Sequence, residues 1–350
     1  MSGGRHWLAQ HAPPFLVRLV RSERRWRRAT LGSLGTPRLG VLAQYSPRPW
    51  RLAWPTRPER ALEAPPRISL VTPSFNQGRF LERTIRSVLD QGYPNLDYGV
   101  QDGGSTDESV AVLERYASRL DRWSSEPDAG QAQAINRGFE RASGEIMGWL
   151  NSDDLLLPGA LACVARFFRR HPDVDVIYGH RLLIDEDDLE IGRWVMPPHC
   201  DEALVWADFV PQETLFWRRT AWEAVGAKLD ESFQFALDWD LLLRLRSAGA
   251  RFARVPRFLA AFRVHPRQKT SSELTGRGGE EIERLQRRLH GRVLSQEELS
   301  RALRGYLFRH LLHHHLEDLR AAAARRWPQA ANSAPRRSSG REAIAPSRRM

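Results

Sequence analysis

The stretch Gly144–Pro158, which reads GEIMGWLNSDDLLLP, decides the fold that this sequence predicts. Its first part, Ile146–Leu150, is a short and nearly continuous apolar run, as in a strand that is buried on both faces of a sheet. The run ends at Asn151–Asp154, so two adjacent carboxylates follow the carboxyl end of the predicted strand. In an open α/β sheet, that edge is where ligands bind.

The two carboxylates, Asp153 and Asp154, allow two interpretations. Adjacent negative charges repel each other, so a site that holds both needs a compensating cation. Hard oxygen ligands of this kind suit Mg²⁺ or Mn²⁺, shared with substrate phosphates. Alternatively, the segment is a polar turn that caps the next helix, with Pro158 in the first turn. The rest of the chain favours the first interpretation.

Charge is distributed unevenly along the 350 residues. Residues 1–66 carry a net charge of +9, residues 67–275 a net charge of −6, and residues 276–350 a net charge of +8. We therefore expect a mildly acidic domain between two basic arms. The hydrophobic content of 41% is that of a globular protein, and the length suffices for one large domain or two small ones.

The cysteine count and the hydropathy indicate a cytoplasmic chain. Cys163 and Cys200 are the two cysteines, and two do not make a disulfide framework, so a reducing compartment is expected. No apolar run approaches the ~18 residues of a membrane span. The N-terminal residues also lack the continuous apolar stretch of a secretory signal.

The N-terminal arm, residues 1–66, is rich in arginine, tryptophan and proline and is not expected to form a packed domain. Within it, residues 15–28 have one apolar helical face, with arginines mostly off that face. A basic amphipathic helix can lie on an anionic membrane, which would make the protein peripheral at the inner face of the membrane. The same pattern is equally typical of a helix that docks on its own catalytic domain.

Strands and helices alternate from Arg67, where we expect the ordered domain to begin. A strand over residues 68–72 leads through the turn Pro73–Gly78 into a helix, and a second strand, residues 96–100, ends at Asp102. This alternation predicts a parallel sheet with right-handed crossovers. Polar or acidic clusters follow three of the first four strands, and all three fall at the same edge of the sheet.

The loop that begins at Asp102 contains glycines, which leave room for a ligand near the backbone. In the same loop, Ser105 and Glu108 have the spacing of a capping box for the next helix. An alanine-rich helix is then predicted over residues 131–142, with Gly144 as its C-cap. A polar cap explains the glycines and the serine, but it leaves the acid at the strand end unexplained.

The second half of the domain contains a predicted hairpin over residues 182–195 and a helix that opens near Phe235. Asp238 and Asp240 lie in the first turn of that helix, where the helix dipole favours acids without any catalytic role. Residues 276–330 are predicted to be a helical extension, with an apolar stripe formed by Leu299, Leu303, Tyr306, Leu307 and Leu311.

The histidines His313–His315 of this extension are expected to be a surface run. His310 and His314 have the four-residue spacing of a metal pair, but no acidic residue nearby completes a site. Residues 331–350 are rich in serine, proline and arginine and are expected to be a disordered basic tail.

Five stretches resemble the inverting glycosyltransferases of family 2, which have the GT-A fold. The stretches are Val71–Asn76, Asp102–Asp107, Gly130–Gly138, Asn151–Asp154 and Leu237–Leu241. Each is a weak pattern by itself, but all five in this order and at these separations are specific. The resemblance implies an α/β fold over residues 67–275, with a Rossmann-like, mostly parallel sheet flanked by helices and followed by the helical extension.

The resemblance also implies which residues form the donor site. The residues expected to hold the nucleotide sugar are Thr72, Pro73, Ser74, Phe75, Asp102, Gly103, Asn136, Asn151 and Asp153. Asp102 would bind the base, which is uracil in the best-known relatives. Asn151 would contact the ribose without charge, because this chain has asparagine where the family pattern often has an acid. Asp153 and Asp154 would be the metal acid and the ribose acid, with Mg²⁺ or Mn²⁺ as the ion, and which of the two holds the metal stays open.

The catalytic base of the family matches Asp238, although Leu237 stands where relatives often have glutamate. Asp240 is the second candidate for the base and is otherwise expected to support the helix start or to contact the acceptor. The QxxRW motif of processive polysaccharide synthases is absent from the sequence. A single sugar addition is therefore expected rather than polymerisation.

The resemblance implies that the chain transfers one sugar, with inversion, from a nucleotide-diphosphate sugar to an acceptor hydroxyl. UDP is the expected nucleotide, and a glycan or a lipid-linked sugar is the expected acceptor. The expected process is surface glycan or polysaccharide biosynthesis. A sugar-phosphate nucleotidyltransferase is one alternative, but its phosphate loop would contain several glycines and an arginine, whereas Pro73–Gly78 has one glycine and no base. The second alternative is a nucleic-acid-binding protein that acts through its basic arms. The acidic domain argues against it, so no nucleic-acid partner is expected.

Overall fold

The computed structural model describes residues 39–52, 62–268 and 276–326, apart from the side chains of residues 321–326. The amphipathic segment 15–28 and the tail 331–350 lie outside the described residues, so the roles predicted for them stay predictions. Within the described ranges, none of the helices combines the length and the apolar character that crossing a membrane requires.

The first half of the domain alternates strand and helix, as the sequence predicts. Every residue of its first and fourth strands is buried, which explains their nearly continuous apolar sequence. All three pairings among the four strands are parallel, so the predicted parallel sheet is confirmed. The elements are β1 (Ile68–Ser74), α1 (Gly78–Leu89), β2 (Leu96–Asp102), α2 (Ser109–Tyr116), β3 (Arg122–Ser125), α3 (Gln131–Glu140) and β4 (Ile146–Trp149).

The second half adds antiparallel strands and the C-terminal helices. Its elements are β5 (Leu155–Leu156), α4 (Ala160–Arg170), β6 (Val176–Ile184), β7 (Glu190–Trp194), α5 (Asp201–Leu204), β8 (Phe216–Arg218), α6 (Arg219–Ala224), α7 (Leu237–Ser247), β9 (Phe252–Arg263), α8 (Arg277–His290) and α9 (Gln296–Arg326). The strands β6 and β7 form the predicted hairpin. The sequence does not predict β5, because two residues are too few to show a strand period.

The strands of the described residues form one sheet in the order β3-β2-β1-β4-β8-β6-β9-β5, and β7 pairs with β6. The strand β8 runs antiparallel to β4 and to β6, whereas β9 runs parallel to β6. Two reversals restore the original direction, so β1, β2, β4, β6 and β9 all end at the same edge. The loops that follow these strands therefore converge at one place.

Helices cover both faces of the sheet. On one face, α1, α2 and α4 form a core with β1 and β2, in which Leu81 lies with Leu70. On the other face, α3, α7 and α9 form a second core, in which Ile135 and Tyr306 lie with Val71. Leu70 and Val71 are neighbours in β1 and enter different cores, because successive side chains of a strand point to opposite faces.

The predicted capping box at Ser105 is wrong. The helix α2 begins at Ser109, and its first turn is held by Asp107 instead. The Asp107 carboxylate accepts hydrogen bonds from the backbone N–H groups of Ser109 and of Gly78, both at 2.9 Å. One carboxylate thus joins the first turns of α2 and α1, and Ser105 is left for a different role at the end of β2.

The prediction that Gly144 caps α3 is also wrong, since that helix ends at Glu140. The N–H of Gly144 donates to the side-chain hydroxyl of Ser69 at 2.7 Å. A Cβ atom at this position would lie 2.4 Å from the backbone nitrogen of Ser69. The residue is a glycine because the chain passes close to β1 here.

The predicted helical extension packs on the domain. All five residues of the predicted apolar stripe of α9 are buried, and three of them belong to the same core as α3 and α7. His310 and His314 are buried as well, so the prediction of a surface run is wrong for His314. Burial lowers the pKa of His310 to about 3, so this imidazole is neutral at ordinary pH.

Residues 39–52, which we call the strap, also pack on the domain, although the sequence assigns them to the arm. Leu39 and Leu42 are buried in the core. Arg48 and Glu190 exchange backbone hydrogen bonds of 3.1 and 2.7 Å, which attaches the strap to β7. The Glu190 carboxylate is buried and accepts hydrogen bonds from the side chains of Tyr45, Arg48 and Arg193. The expected boundary at residue 66 is therefore too late.

Removing the strap is expected to destabilise the domain. Burial of a leucine contributes about 1.5–3 kcal/mol, so the loss of Leu39 and Leu42 should lower the free energy of unfolding by several kcal/mol. A chain that begins at residue 62 should therefore unfold at a clearly lower Tm than one that begins at residue 39. Urea and thermal unfolding of the two chains measure the difference. Equal unfolding midpoints would show that the strap is dispensable.

Candidate active site

A cavity of about 630 Å³ opens at the common edge of the sheet. Its walls come from the loops after β1, β2, β4 and β9, from the first turns of α3 and α7, and from the strap. The members of the predicted site that line it are Pro73, Ser74, Phe75, Gly103, Asn151, Asp153 and Asp238. The other members of the predicted site are among the described residues but do not line the cavity: Thr72, Asp102, Asn136, Asp154 and Asp240.

The loops after β1 and β2 form one end of the cavity and hold each other in place. The N–H of Gly103 donates to the carbonyl of Ser74 at 2.8 Å. The backbone N–H of Asn76 donates to the Ser105 hydroxyl at 2.7 Å. Between these contacts Phe75 is 61% exposed and lines the cavity. An exposed aromatic ring beside a cavity is a surface on which a planar base can stack.

Asp102 does not face the cavity, contrary to the prediction that it contacts the base. It is fully buried, and its carboxylate accepts hydrogen bonds from the N–H of Ser105 (2.8 Å) and from the hydroxyls of Ser105 (2.6 Å) and Ser125 (2.7 Å). These three contacts fold the loop so that the next residue, Gly103, lines the cavity. The acid at the end of β2 thus shapes the binding loop.

Replacing Asp102 with alanine should loosen this loop. Because the loop forms the wall and does not take part in bond making, we expect the donor KM to rise more than kcat falls, as in a loss of uniform binding. Ser125→Ala removes one of the three hydrogen bonds and should have a smaller effect in the same direction. Steady-state kinetics on both variants measure this. An unchanged donor KM in Asp102→Ala would separate the loop from donor binding.

Thr72 and Asn136 are structural residues and not part of the cavity wall. The hydroxyl of Thr72 is buried and lies 3.0 Å from the hydroxyl of Tyr98. The side-chain amide of Asn136 donates to the carbonyl of Leu229 (3.1 Å) and to the carboxylate of Glu231 (2.9 Å). Its amide oxygen accepts the N–H of Leu229 (2.8 Å). Asn136 therefore braces α3 against the segment that leads to α7.

Asn151 stands at the end of β4 within a chain of side-chain amides. Its amide oxygen accepts a hydrogen bond from Gln131 (2.7 Å), and its amide nitrogen donates to Gln212 (3.1 Å). All three residues line the cavity. Both hydrogen-bonding groups of Asn151 are thus oriented by neighbours, and the amides form an uncharged polar wall next to the acid.

Asp153 is the carboxylate that the structure brings to the cavity. Its Oδ2 lies 2.9 Å from Nε2 of His265, and its side chain keeps 18% of its surface exposed. His265 lies in the loop after β9, and no local sequence pattern indicates this contact. His265 follows the carboxyl end of β9, which runs in the same direction as β4, so the strand direction was the signal that could have found it.

Asp154 does not line the cavity and is fully buried. Its Oδ1 accepts the backbone N–H of Arg263 at 3.0 Å, which joins β9 to the end of β4. Its Oδ2 has no hydrogen-bond partner within the described part of the chain. Burial, together with the nearby carboxylates of Asp153 and Glu213, raises the pKa of Asp154 well above its usual range. Of the two acids, only Asp153 lines the cavity, and which of them is the metal ligand stays a prediction.

The residues near Asp153 fit a divalent cation that is shared with a ligand. Across residues 39–52, 62–268 and 276–326, no group of three histidines, cysteines or acids is preformed as a metal centre. Mg²⁺ typically takes one or two protein carboxylates and completes its shell with water and substrate phosphates. Asp153, with 18% of its side chain exposed, supplies one such carboxylate at the cavity, and the His265 ring beside it fixes its orientation.

Asp238 stands in the first turn of α7 and also lines the cavity. Its Oδ1 accepts the N–H of Trp239 at 2.9 Å, which leaves Oδ2 as the oxygen available to a ligand. Burial raises the pKa of Asp238 to about 6. A carboxylate with a pKa near neutrality is ionised at pH 7 and accepts a proton more readily than an ordinary aspartate.

Asp240 lies away from the cavity. Its carboxylate is buried and forms ion pairs with Arg244 (2.8 Å) and Arg288 (2.7 Å). These contacts join α7 to α8. The structure fits the expectation that Asp240 supports the helix start. It does not fit a role for Asp240 as the catalytic base or as an acceptor contact, because guanidinium groups occupy both of its carboxylate oxygens.

A second carboxylate near Asp238, that of Asp208, also lines the cavity, and no sequence pattern indicates it. Burial and the negative charge of Asp238 raise the pKa of Asp208 well above its usual range. Nearby, Arg181 and Glu213 form a buried bidentate ion pair of 2.7 and 2.5 Å that also lines the cavity. Around Asp238 the cavity wall therefore contains the carboxyl groups of Asp208 and Glu213 and the guanidinium of Arg181.

Comparisons with known proteins show which family the chain resembles. The family model for glycosyl transferase family 2 matches residues 69–217. An uncharacterized glycosyltransferase of Mycobacterium tuberculosis is 31% identical over 183 residues, which cover 51% of this chain and 68% of that protein. Chondroitin synthase of Escherichia coli is 29% identical over 191 residues, which cover 54% of this chain and only 28% of that protein.

Among solved structures, S. aureus TarS 1–349 in complex with UDP-GlcNAc superposes with a TM-score of 0.54. The match covers 70% of this chain and 72% of that chain at 16% sequence identity. The mostly parallel sheet, flanked by helices and open at one edge, is thus the GT-A fold. The chain belongs to glycosyltransferase family 2, which confirms the family and the fold class that the five sequence stretches indicate.

Proposed function

We propose that this chain transfers one sugar from a nucleotide-diphosphate sugar to an acceptor hydroxyl and inverts the anomeric centre. One observation carries the proposal. A single cavity is lined by Asp153, which contacts His265, and by Asp238, whose pKa is raised. The first pair suits a cation that binds a diphosphate, and the second carboxylate suits a base that acts on a hydroxyl.

The donor is placed at the end formed by the loops after β1 and β2. Phe75 offers an exposed ring for the base, and the Asn151 amide offers an uncharged contact for the ribose. Arg267 is an exposed cation in the cavity wall, suited to the diphosphate. UDP is the proposed nucleotide, extended to this chain from the family resemblance and from the UDP-GlcNAc complex of S. aureus TarS.

We propose that the acceptor binds beside α7 and the loop that carries Asp208. In the reaction, Oδ2 of Asp238 takes the proton of the acceptor hydroxyl while the oxygen attacks the anomeric carbon from the side opposite the diphosphate. The bond from the sugar to the diphosphate breaks, and the nucleoside diphosphate leaves. Attack from the opposite side inverts the anomeric configuration.

The two neighbouring carboxyl groups divide these roles. Burial raises the pKa of both acids, and the charge of Asp238 adds to the rise at Asp208. We assign the base to Asp238, which matches the catalytic acid of the family, and a hydrogen bond to the acceptor to Asp208. The Arg181 guanidinium lowers the pKa of both acids and so favours the ionised form of Asp238.

Asp153 and His265, with Asp154 behind them, are the residues proposed to hold Mg²⁺ or Mn²⁺. When bound there, the ion would act as a Lewis acid for the negative charge on the departing diphosphate. The acceptor class proposed is a glycan or lipid-linked sugar in surface glycan or polysaccharide biosynthesis, in line with the name of the chondroitin synthase relative. Membrane contact through residues 15–28 stays part of this proposal.

A donor screen tests the proposal. The full chain is incubated with UDP-, GDP-, ADP-, CMP- and dTDP-linked sugars in the presence of Mn²⁺, Mg²⁺ or a chelator, and the released nucleotide is measured. We expect hydrolysis or transfer with one nucleotide class, dependent on the cation. Turnover of no donor, or release of pyrophosphate from a nucleoside triphosphate and a sugar phosphate, would reject the proposal in favour of a different reaction class.

A further inference from the structure

The C-terminal helix α9 has two apolar faces. One face is buried against the domain, as described above. The opposite face exposes a row of large apolar side chains: Phe308 is 41% exposed, Leu312 38%, Leu316 50% and Leu319 67%. Their spacing of four, four and three residues places them in line along one side of the helix. We call this row the outer stripe.

The outer stripe accounts for four of the six large apolar side chains exposed within the described residues. Isolated exposed leucines are ordinary, but a contiguous row on one helix face marks an interaction surface. The stripe covers about three turns of a 31-residue helix. A partner that covers it must therefore present an extended apolar surface.

Arginines flank the outer stripe. Arg301, Arg304, Arg309 and Arg320 are all exposed, and residues 301–316 contain no acid. Arg301 and Arg320 keep 70% and 77% of their side chains exposed even with their long ion pairs to Glu297 (3.4 Å) and Glu317 (3.9 Å). Arg309 donates to the sulfur of Cys200 at 3.0 Å. The surface is thus apolar along its centre and positively charged at its sides.

We propose that the outer stripe docks this protein on an anionic lipid membrane. An amphipathic helix with leucine and phenylalanine on one face and arginine beside it inserts the apolar face into the boundary between headgroups and acyl chains. The arginines then meet the negative headgroups, and this attraction adds to apolar burial. The surface is separate from residues 15–28 and does not depend on the proposed sugar transfer.

Charge favours a lipid membrane over two other candidates for the outer stripe, a second copy of the chain and the segment 15–28. A second copy that packs its stripe against the first would bring the two sets of arginines together, and like charges oppose that contact. The basic segment 15–28 of the same chain would meet the stripe with further positive charge. An anionic lipid surface matches both the apolar centre and the charged sides.

The proposed membrane surface lies one helix away from the acceptor end of the cavity. On the buried face of α9, the ring of Tyr306 lies 4.2 Å from that of Phe209, measured between centroids. Phe209 lines the cavity and follows Asp208 directly. A helix with its side chains is about 10 Å thick, so docking through α9 would hold that end of the cavity near the lipid headgroups.

Vesicle co-sedimentation of the full chain tests the proposal. Phosphatidylcholine vesicles are compared with vesicles that contain 30% phosphatidylglycerol, at low and high salt. The double variant Leu316→Asp/Leu319→Asp should lower the partition coefficient for anionic vesicles at least tenfold. Arg301→Gln/Arg320→Gln should weaken binding to anionic vesicles while changing binding to neutral vesicles little. Both sites are exposed, so folding should be retained, as thermal unfolding will verify.

The control is Val293→Asp, at an apolar residue outside the stripe that is 38% exposed, and this variant should bind as the wild type does. Equal binding of the stripe variant and the wild type would overturn the proposal and leave another segment, such as residues 15–28, as the membrane contact. Light scattering tests self-association. If the wild type is a dimer that the stripe variant does not form, and if the wild type does not bind lipid, the stripe mediates self-association and the membrane proposal is overturned.

Discussion

Asp238→Asn is expected to lower kcat by about 10²–10⁴-fold, the usual worth of a positioned general base. Asparagine keeps the shape of the side chain and its contact with the N–H of Trp239, but it cannot take a proton at neutral pH. The donor KM should change little, because the base acts on the acceptor and not on the diphosphate. Steady-state kinetics with the donor found in the screen, and NMR of the product anomer, provide the measurement.

The pH dependence follows from the same residue. The pKa of Asp238 is raised to about 6, so the carboxylate is ionised above that pH and protonated below it. The wild-type kcat should therefore fall as the pH is lowered through about 6, and that acid limb should be absent in Asp238→Asn. A flat wild-type profile between pH 5 and 7, or a retained anomer in the product, would contradict the assignment.

Asp240→Asn is the matched control, two positions along the same helix. It removes the charge that holds Arg244 and Arg288, so we expect a lower Tm, since breaking a buried ion pair is destabilising. The kcat per folded molecule should stay within a few-fold of the wild type. If Asp240→Asn lowered kcat by about 10²–10⁴-fold while Asp238→Asn changed mainly the Tm, Asp240 would be the base.

Asp153→Asn is expected to abolish cation-dependent transfer, with a loss in kcat/KM of at least about 100-fold, given what even supporting groups of metal sites contribute. Its side chain faces the cavity and contacts His265, so the fold should be retained and the Tm should stay close to that of the wild type. Activity is measured over a titration of Mn²⁺ and of Mg²⁺.

Asp187→Asn serves as the control, because Asp187 is an exposed acid in the turn between β6 and β7. It should behave as the wild type at every cation concentration. Full activity of the wild type after complete chelation would contradict the cation-dependent version of the mechanism, whatever the effect of Asp153→Asn.

The sequence is sufficient for the sheet and for its ligand-binding edge, because both depend on local patterns. The apolar run Ile146–Leu150 and the turn that follows it are properties of a few neighbouring residues. Parallel strands joined by helices end at one edge for geometrical reasons, which brings Asp153 and Phe75 to one cavity. Asp238 reaches the same cavity from a different part of the chain, and only the family resemblance places it there.

The sequence is not sufficient to choose between neighbouring acids. Asp153 and Asp154 adjoin each other, yet one faces the cavity and the other binds the backbone of β9. Asp238 and Asp240 are about 200° apart on a helix with 3.6 residues per turn, so only one of them can face the cavity. Which one does so depends on how α7 is rotated against the sheet, and packing decides that rotation.

The contacts missed by the sequence analysis involve residues far apart in the chain. The strap reaches β7 across about 140 residues, as in the hydrogen bond between Arg48 and Glu190. Arg181 pairs with Glu213 across 32 residues that include β7 and α5. No local period indicates such pairs, because each partner alone resembles an ordinary charged surface residue.

The central claim is that one cavity has a donor end at Asp153 and an acceptor end at Asp238. Calorimetric titration of the donor's nucleoside diphosphate with Mn²⁺ into the wild type, Asp153→Asn and Asp238→Asn tests this division most directly. The account predicts equal, Mn²⁺-dependent affinity for the wild type and Asp238→Asn, and loss of the Mn²⁺-dependent part in Asp153→Asn. Equal affinity in all three proteins, or a loss confined to Asp238→Asn, would contradict it.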